Sequence, residues 1–446
     1  MPTRLPDLPI TVVGGRGPHG LALHLWMRDR GLEGCYALVD PSPRWLPTYG
    51  DGGPARFTEH LRSPRELDFA LGDPARSMTT WRDVDASRPL ADVYALAEAA
   101  DPHVNAAIGP ERRVPRRAFL RYAHDLALRS DADAHVVQAA VRRLAPMPDG
   151  WRVELDDGRA FRTRVVLLAT GMAPHLRVPP PWEVWWRHLP DDAAELALRA
   201  DASPERMRRR RLAILGSSNV ATWEAAVHAA RAGATVTLLC RRGAPIERVL
   251  PFDVAWFDPH TMAAFSRLDP RERLRRLKRT FIPKSTPPGS RAAAEAAGVH
   301  LVFDARVRIA TPLWGGVQVQ WRDARGERAE RFDAVWASTG GDPRPRELPF
   351  LAGAVGGGRG PVVVGGPARH LPITDACGRW QNLPPLYPLG HLAFPRAGFA
   401  ATTLASASRY LPQLMPSVLA DAGVEPGRRA ERRAERRAPD PLEVAA

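Results

Sequence analysis

Residues 10–40 read ITVVGGRGPHGLALHLWMRDRGLEGCYALVD, and no other stretch restricts the fold as much. The apolar run 10–13 has the pattern of a buried strand. It enters a G-x-G-x-x-G turn, Gly15-Arg16-Gly17-Pro18-His19-Gly20. Leu21, Ala22, Leu25 and Trp26 recur at helical spacing, and a second apolar run, 36–39, ends at Asp40. Each part has a physical task. Gly15 allows the tight turn, Gly17 lets the backbone approach a pyrophosphate, and Gly20 lets helix pack closely on strand. The helix N-terminus faces the negative charge, and Asp40 can accept hydrogen bonds from a ribose. This is a dinucleotide-binding unit.

The chain repeats the design. RLAIL at 211–215 is a strand, and Gly216-Ser217-Ser218-Asn219-Val220-Ala221 is a turn of the form G-x-S-x-x-A. A helix follows to about Ala232, Gly233 stops it, and TVTLLC at 235–240 is the next strand. That strand ends at Arg241-Arg242 rather than at an acid, which suits a ribose phosphate and favours NADPH over NADH. Ser217, Ser218 and Asn219 can hydrogen-bond the nucleotide or cap the helix. A unit that packs without a ligand is the other reading of this half. Two apolar strands, one before Thr170-Gly171 and one before Thr339-Gly340, complete the duplication.

Between the units, 112–132 is an amphipathic helix starting near Pro115, with Phe119, Tyr122, Ala123 and Leu126 on one face. Three strand-like segments follow, with a hairpin turn at Asp156-Asp157-Gly158. HLRVPPPWEVWWRHLP at 175–190 reads as an exposed linker whose Trp182, Trp185 and Trp186 cover something. The segment 248–289 is helical and basic, and strand-like pieces return at VHLVFDA, GVQVQWRD and FDAVWASTGG. Near the end, a strand over 386–389 leads to Gly390 and a helical stretch, GFAATTLASASRYLPQLM.

A net charge of +14 invites a nucleic-acid reading. The cations are nearly all Arg, with Lys only at 278 and 284, and they fall in runs at 208–211, 271–279 and 428–438 without interleaved aromatic residues. A stacking platform needs those aromatics, so solvated faces and a basic tail are the better reading. Cys35, Cys240 and Cys377 form no C-x-x-C pair, which argues against zinc and a dithiol centre; Cys35 and Cys240 read as buried thiols. No apolar run has the length of a membrane span, and the N-terminus lacks a signal-peptide pattern, so a cytoplasmic location is expected.

Together these features resemble the two-dinucleotide-binding-domain flavoproteins, over about residues 8–415. GRGPHGLAL is similar to the G-x-G-P-x-x-L-x-L form of flavin-dependent N-hydroxylating monooxygenases, and Asp333 to Gly340 is similar to their D-x-x-x-A-x-T-G motif. The resemblance implies an α/β fold of two Rossmann-like domains, with the NADPH domain inserted into a split FAD domain. It implies FAD-binding parts at 1–180 and 350–420 and the NAD(P)H domain at 205–345; by composition, 421–446 reads as a basic tail, disordered or a frayed charged helix. FAD falls to Gly15, Gly17, Pro18, Gly20, Asp40 and Gly390; NADPH falls to Gly216, Ser217, Ser218, Ala221, Arg241 and Arg242. Thr170, Gly171, Thr339 and Gly340 lie where the chain crosses between domains.

The implied activity is an NADPH-consuming monooxygenase that passes oxygen from a flavin hydroperoxide to a nucleophilic nitrogen or sulfur of a small molecule. An NAD(P)H:acceptor reductase on the same fold and a flavin-binding protein without turnover are the alternatives. No catalytic residue stands out, and the flavin carries such chemistry. His19 reads as a packing residue whose charged form the helix N-terminus disfavours.

Overall fold

The computed structural model describes residues 5–51, 53, 55, 57–64, 67–81, 113–172, 178, 180–189, 194–196, 203–217, 220–248, 250, 252–280, 285–338, 343–355, 359–364 and 368–425. Two sheets, each built on a parallel core of the same wiring, dominate it. In the first, strand Leu8–Val13 pairs in parallel with Tyr36–Val39 on one side and with Ala160–Leu168 on the other. The intervening chain forms helix Pro18–Arg28, whose residues from Gly20 to Met27 are buried. Strands Leu8–Val13 and Tyr36–Val39 are nearly all apolar, as strands covered on both faces must be.

Strand Ala160–Leu168 changes partners along its length. Its first half pairs antiparallel with Gly150–Leu155, through the hairpin that Gly158 turns at φ +86°. Its second half pairs in parallel with Leu386–Pro388. The C-terminal segment thus returns to the first sheet, more than 200 residues after leaving it.

The second sheet has the order His300–Val302, Thr235–Leu239, Arg211–Leu215, Ala334–Ala337, Ala194–Leu196, all parallel. Alternation along the central strand serves two faces. Leu212 and Ile214 pack with Trp223 and Ala226 of helix Val220–Arg231. Ala213 and Leu215 pack with Val317, Val319, Trp321 and Phe332 of an antiparallel meander, Arg306–Leu313, Gly316–Asp323 and Gly326–Phe332. The outer strands of that meander escape a sequence reading because Arg, Glu and Pro312 occupy their solvent side.

Other expectations need correction. The Trp-rich stretch is not an exposed linker. It contains helix Pro180–Trp186, and Trp185 is buried with Leu215 and Leu239 on the meander side of the second sheet. Cys35 is half-buried at the end of a short turn, Glu33–Cys35, whereas Cys240 is fully buried. The basic segment does form helices, Pro259–Arg267 and Pro270–Thr280, the second capped where Asp269 Oδ1 accepts from the Arg271 and Glu272 N–H groups. Their apolar side chains, Met262, Phe265 and Leu277, join Phe394 and Phe399 in the first core. The 428–438 run lies outside the described residues.

Candidate functional site

Three chain crossings meet at the carboxyl edge of the first sheet. Gly14 and Gly15 both donate to the Val39 carbonyl, at 2.9 and 3.1 Å. Ala169 N–H donates to Val13 O at 2.8 Å, and Leu389 N–H to Leu168 O at 3.0 Å. The glycines here divide by what surrounds them. A β-carbon on Gly14, whose φ is +84°, would sit 2.6 Å from Ala169 O; one on Gly15 would sit 2.6 Å from Leu38 Cβ; one on Gly20 would overlap Gly15 O. Around Gly17 the nearest atom is Gly14 O at 3.4 Å. Gly14, Gly15 and Gly20 therefore serve packing, and Gly17 keeps an open face. Gly14 was missed in the sequence because the fingerprint starts one residue later.

The helix beginning at Pro18 has no side-chain cap and no acid in its first turn, so its leading N–H groups and dipole face the open edge unneutralised. Asp40 closes one side. Its Oδ2 accepts from Arg16 N–H at 3.0 Å and its Oδ1 from Ser42 N–H at 2.8 Å, and burial pushes its pKa up against these hydrogen bonds. Arg16 is buried, bonded to the Pro43 carbonyl and to Asp133, and braces this turn. Its role is invisible in sequence, where it is the variable residue of the fingerprint.

On the other side lie Thr170 and Gly171. Thr170 Oγ1 is buried and has no hydrogen-bond partner among the described residues; Gly171 has φ +65° and nothing near its Cβ position. His19 Nε2 is likewise buried without such a partner, and burial lowers the imidazole pKa to about 4. The ring is neutral at pH 7, through burial. It abuts Gly390, whose φ is +58°. Gly15, Gly17, Pro18, Gly20, Asp40, Thr170, Gly171 and Gly390 thus share one edge, with orphaned polar atoms and an uncapped helix end. These residues fit a phosphate-bearing dinucleotide.

The second sheet repeats the edge. Gly216, at φ +113°, donates to Leu239 O at 3.1 Å, and Ser338 N–H donates to Leu215 O at 2.8 Å. This register pairs Gly216 with Gly14, not with Gly15 as the sequence pattern suggests. Ser217 O accepts from Trp223 Nε1, and the buried hydroxyls of Thr222 and Ser338 bond each other. Ala221 is buried under the helix start. Arg241 and Arg242 are exposed, with no hydrogen bond or ion pair to any described residue. Ser218, Thr339 and Gly340 lie outside the described residues.

Side chains also link the units. Phe57, from the loop after the first turn, is buried in the second core with its ring stacked on Trp336 at 6.2 Å. Arg62 donates to the Arg248 carbonyl and to Ser285 Oγ, at 3.0 and 3.3 Å. Asp51, Glu59, Arg117, Glu205 and His228 line a crevice of about 530 Å³ where the units meet.

Residues 12–173 match a sequence family described as FAD-NAD(P)-binding. Among solved structures, the chain is similar to the Kutzneria sp. ornithine N-hydroxylase, with a TM-score of 0.70 and 16% identity over 93% of this chain and 99% of that one. This chain and that N-hydroxylase share one fold. The cadaverine monooxygenase of Erwinia amylovora desferrioxamine biosynthesis matches with a TM-score of 0.69 and 15% identity, over 94% of this chain and 96% of that one. The L-lysine 6-monooxygenase of Pseudomonas syringae matches with a TM-score of 0.64 and 17% identity, over 92% and 100%. No curated protein matches in sequence. The matched FAD-NAD(P)-binding domain spans the first turn, Asp40 and Thr170. Among the described residues, no helix is long and apolar enough to cross a membrane.

Proposed function

We propose that this chain is an FAD-dependent, NADPH-consuming monooxygenase that oxygenates a nucleophilic nitrogen or sulfur of a small molecule. The observation that carries the reading is the convergence of three crossings on one uncapped helix end, with Gly17 open and Thr170 Oγ1 and His19 Nε2 left without partners. FAD would be held at this edge by the parts at 1–180 and 350–420. The Pro18 helix end would hold its pyrophosphate and Asp40 a ribose, and Thr170, Gly171 and Gly390 would flank the rest. The unit at 205–345 takes NADPH on Gly216, Ser217, Ser218 and Ala221, with Arg241 and Arg242 at the ribose and Thr339 and Gly340 at the crossing.

When bound, FAD supplies hydride acceptance and oxygen activation. The protein residues bind and orient it. Neutral His19 offers a hydrogen-bonding nitrogen without adding positive charge. Three solved relatives in fold carry amine-oxygenating names, which supports nitrogen as the acceptor. Screening amines and thioethers with NADPH and isotopically labelled oxygen tests the reading. Label in an N- or S-oxygenated product supports it. NADPH oxidation that reduces an added quinone and never labels a product would make the chain a reductase.

A further inference from the structure

In the G-x-G-P-x-x-L-x-L form of the first turn, residue 19 falls on an unspecified position, so the imidazole of His19 is additional to the motif. It is the second residue of helix Pro18–Arg28, whose start has no side-chain cap and no acid in its first turn. The residue is half-buried. Its Nε2 is sealed from solvent without a hydrogen-bond partner among the described residues, and the ring lies against Gly390.

The charged and titratable groups on the elements packed against it are Arg16 and Asp40 of the turn, and His391 beside Gly390. Arg16 is tied to the Pro43 carbonyl and to Asp133, and Asp40 holds its two oxygens on the Arg16 and Ser42 N–H groups. His391 stacks on Phe394. None of them offsets the cost of a charge on the His19 ring: burial alone holds its pKa at about 4, against an ordinary 6.5.

A diphosphate at this helix end reverses the balance. The N–H groups and dipole that disfavour an imidazolium are those that bind the anion. Negative charge close to a half-buried ring then favours the ring's charged form. The cofactor itself contributes no proton, because a diphosphate diester has none that titrates near neutrality.

We propose that FAD loading on the first unit is proton-coupled through His19: in mild acid the ring takes one proton from solvent as the diphosphate docks and returns it when the cofactor leaves, whereas near pH 7 it stays neutral. This rests on the reading that the first unit binds FAD. The sign follows from linkage. Between 6.5 and 4 the flavin-free protein leaves the ring uncharged and the loaded protein charges it, so affinity for FAD rises as pH falls.

The test titrates FAD calorimetrically into full-length protein freed of flavin, in paired buffers of different ionisation enthalpy, at about pH 7.5 and about pH 5.5. The natural chain is expected to take up about one proton per FAD at the lower pH and almost none at the higher, and to bind about tenfold more tightly at the lower. His19→Gln keeps a hydrogen-bonding side chain that does not titrate in this range; it is expected to bind FAD with no proton uptake and with equal affinity at both pH values. Should His19→Gln not fold, His19→Asn serves the same comparison. A natural chain that binds FAD at the lower pH without proton uptake overturns the inference, with no variant needed, and so does an uptake that the variant leaves in place. Both outcomes leave the first unit an FAD site. Protein that binds FAD at neither pH overturns the reading of that unit as well.

Discussion

Gly390 lies against the ring of His19: a β-carbon on the glycine would fall 3.0 Å from His19 Cε1. This contact joins the opening turn to a segment that arrives almost at the end of the chain. It also occurs where Gly390 has φ +58°, a conformation that L side chains adopt at a cost of roughly 1–2 kcal/mol. Gly390→Ala should therefore lower unfolding free energy by at least about that much and weaken flavin retention. Denaturant unfolding and the flavin-to-protein absorbance ratio check this; an alanine variant with unchanged stability and flavin content contradicts it.

The fingerprint glycines should separate by phenotype. Gly20→Ala places a methyl group into Gly15 O and should yield no stable protein. Gly17→Ala meets nothing closer than 3.4 Å, so it should fold with a near-normal melting temperature yet bind FAD about tenfold or more weakly, because the methyl fills the face the pyrophosphate needs. Thermal melting with and without added FAD measures both. Equal behaviour of the two variants counts against assigning packing to one and ligand approach to the other.

Buried histidines should make the protein acid-sensitive well above the carboxylate range. His24 Nε2 lies 3.1 Å from the Ser130 carbonyl, which can only accept, so Nε2 carries the proton and Nδ1 accepts from the Tyr36 hydroxyl at 2.6 Å. Burial first, and then His135, lower the His24 pKa from 6.5 to about 4. The unfolded chain binds this proton more readily than the native one. Stability from His24 is thus complete above pH 6.5 and declines as pH falls towards 4, by up to about 1.4 kcal/mol per pH unit, and His19 adds in the same direction. His24→Gln should flatten the slope of stability against pH between 6.5 and 4, whatever its absolute stability. Parallel slopes for both proteins would rule out this titration.

Phe57 should act as the bolt between the units. It is 4% exposed and stacks on Trp336, so truncation to Ala should cost about 3–5 kcal/mol in that contact region. Because the lost contacts belong to the second core, calorimetry should resolve two melting transitions in Phe57→Ala where the natural chain melts more cooperatively. One transition of unchanged width would mean that Phe57 does not couple the units.

What the sequence made legible is what local physics encodes. The glycine turns, the helices behind them and the amphipathic face of Phe119, Tyr122, Ala123 and Leu126 follow from spacing, and all four side chains are buried. Long-range register is not encoded locally. The Phe57 contact depends on a strand nearly 300 residues away. Helix Pro180–Trp186 was hidden because Pro180 and Pro181 look like linker, although proline suits the first turn of a helix. Arg16 was hidden because its value lies in a buried bond network around Asp40, not in its place within a motif.

The most direct measurement is anaerobic mixing of purified, FAD-supplemented protein with NADPH while the flavin absorbance is followed. The account requires that the protein retain FAD through gel filtration, that NADPH bleach it, and that oxygen restore the colour. Colourless protein that takes up no FAD, or bound flavin that NADPH leaves oxidised, would contradict it.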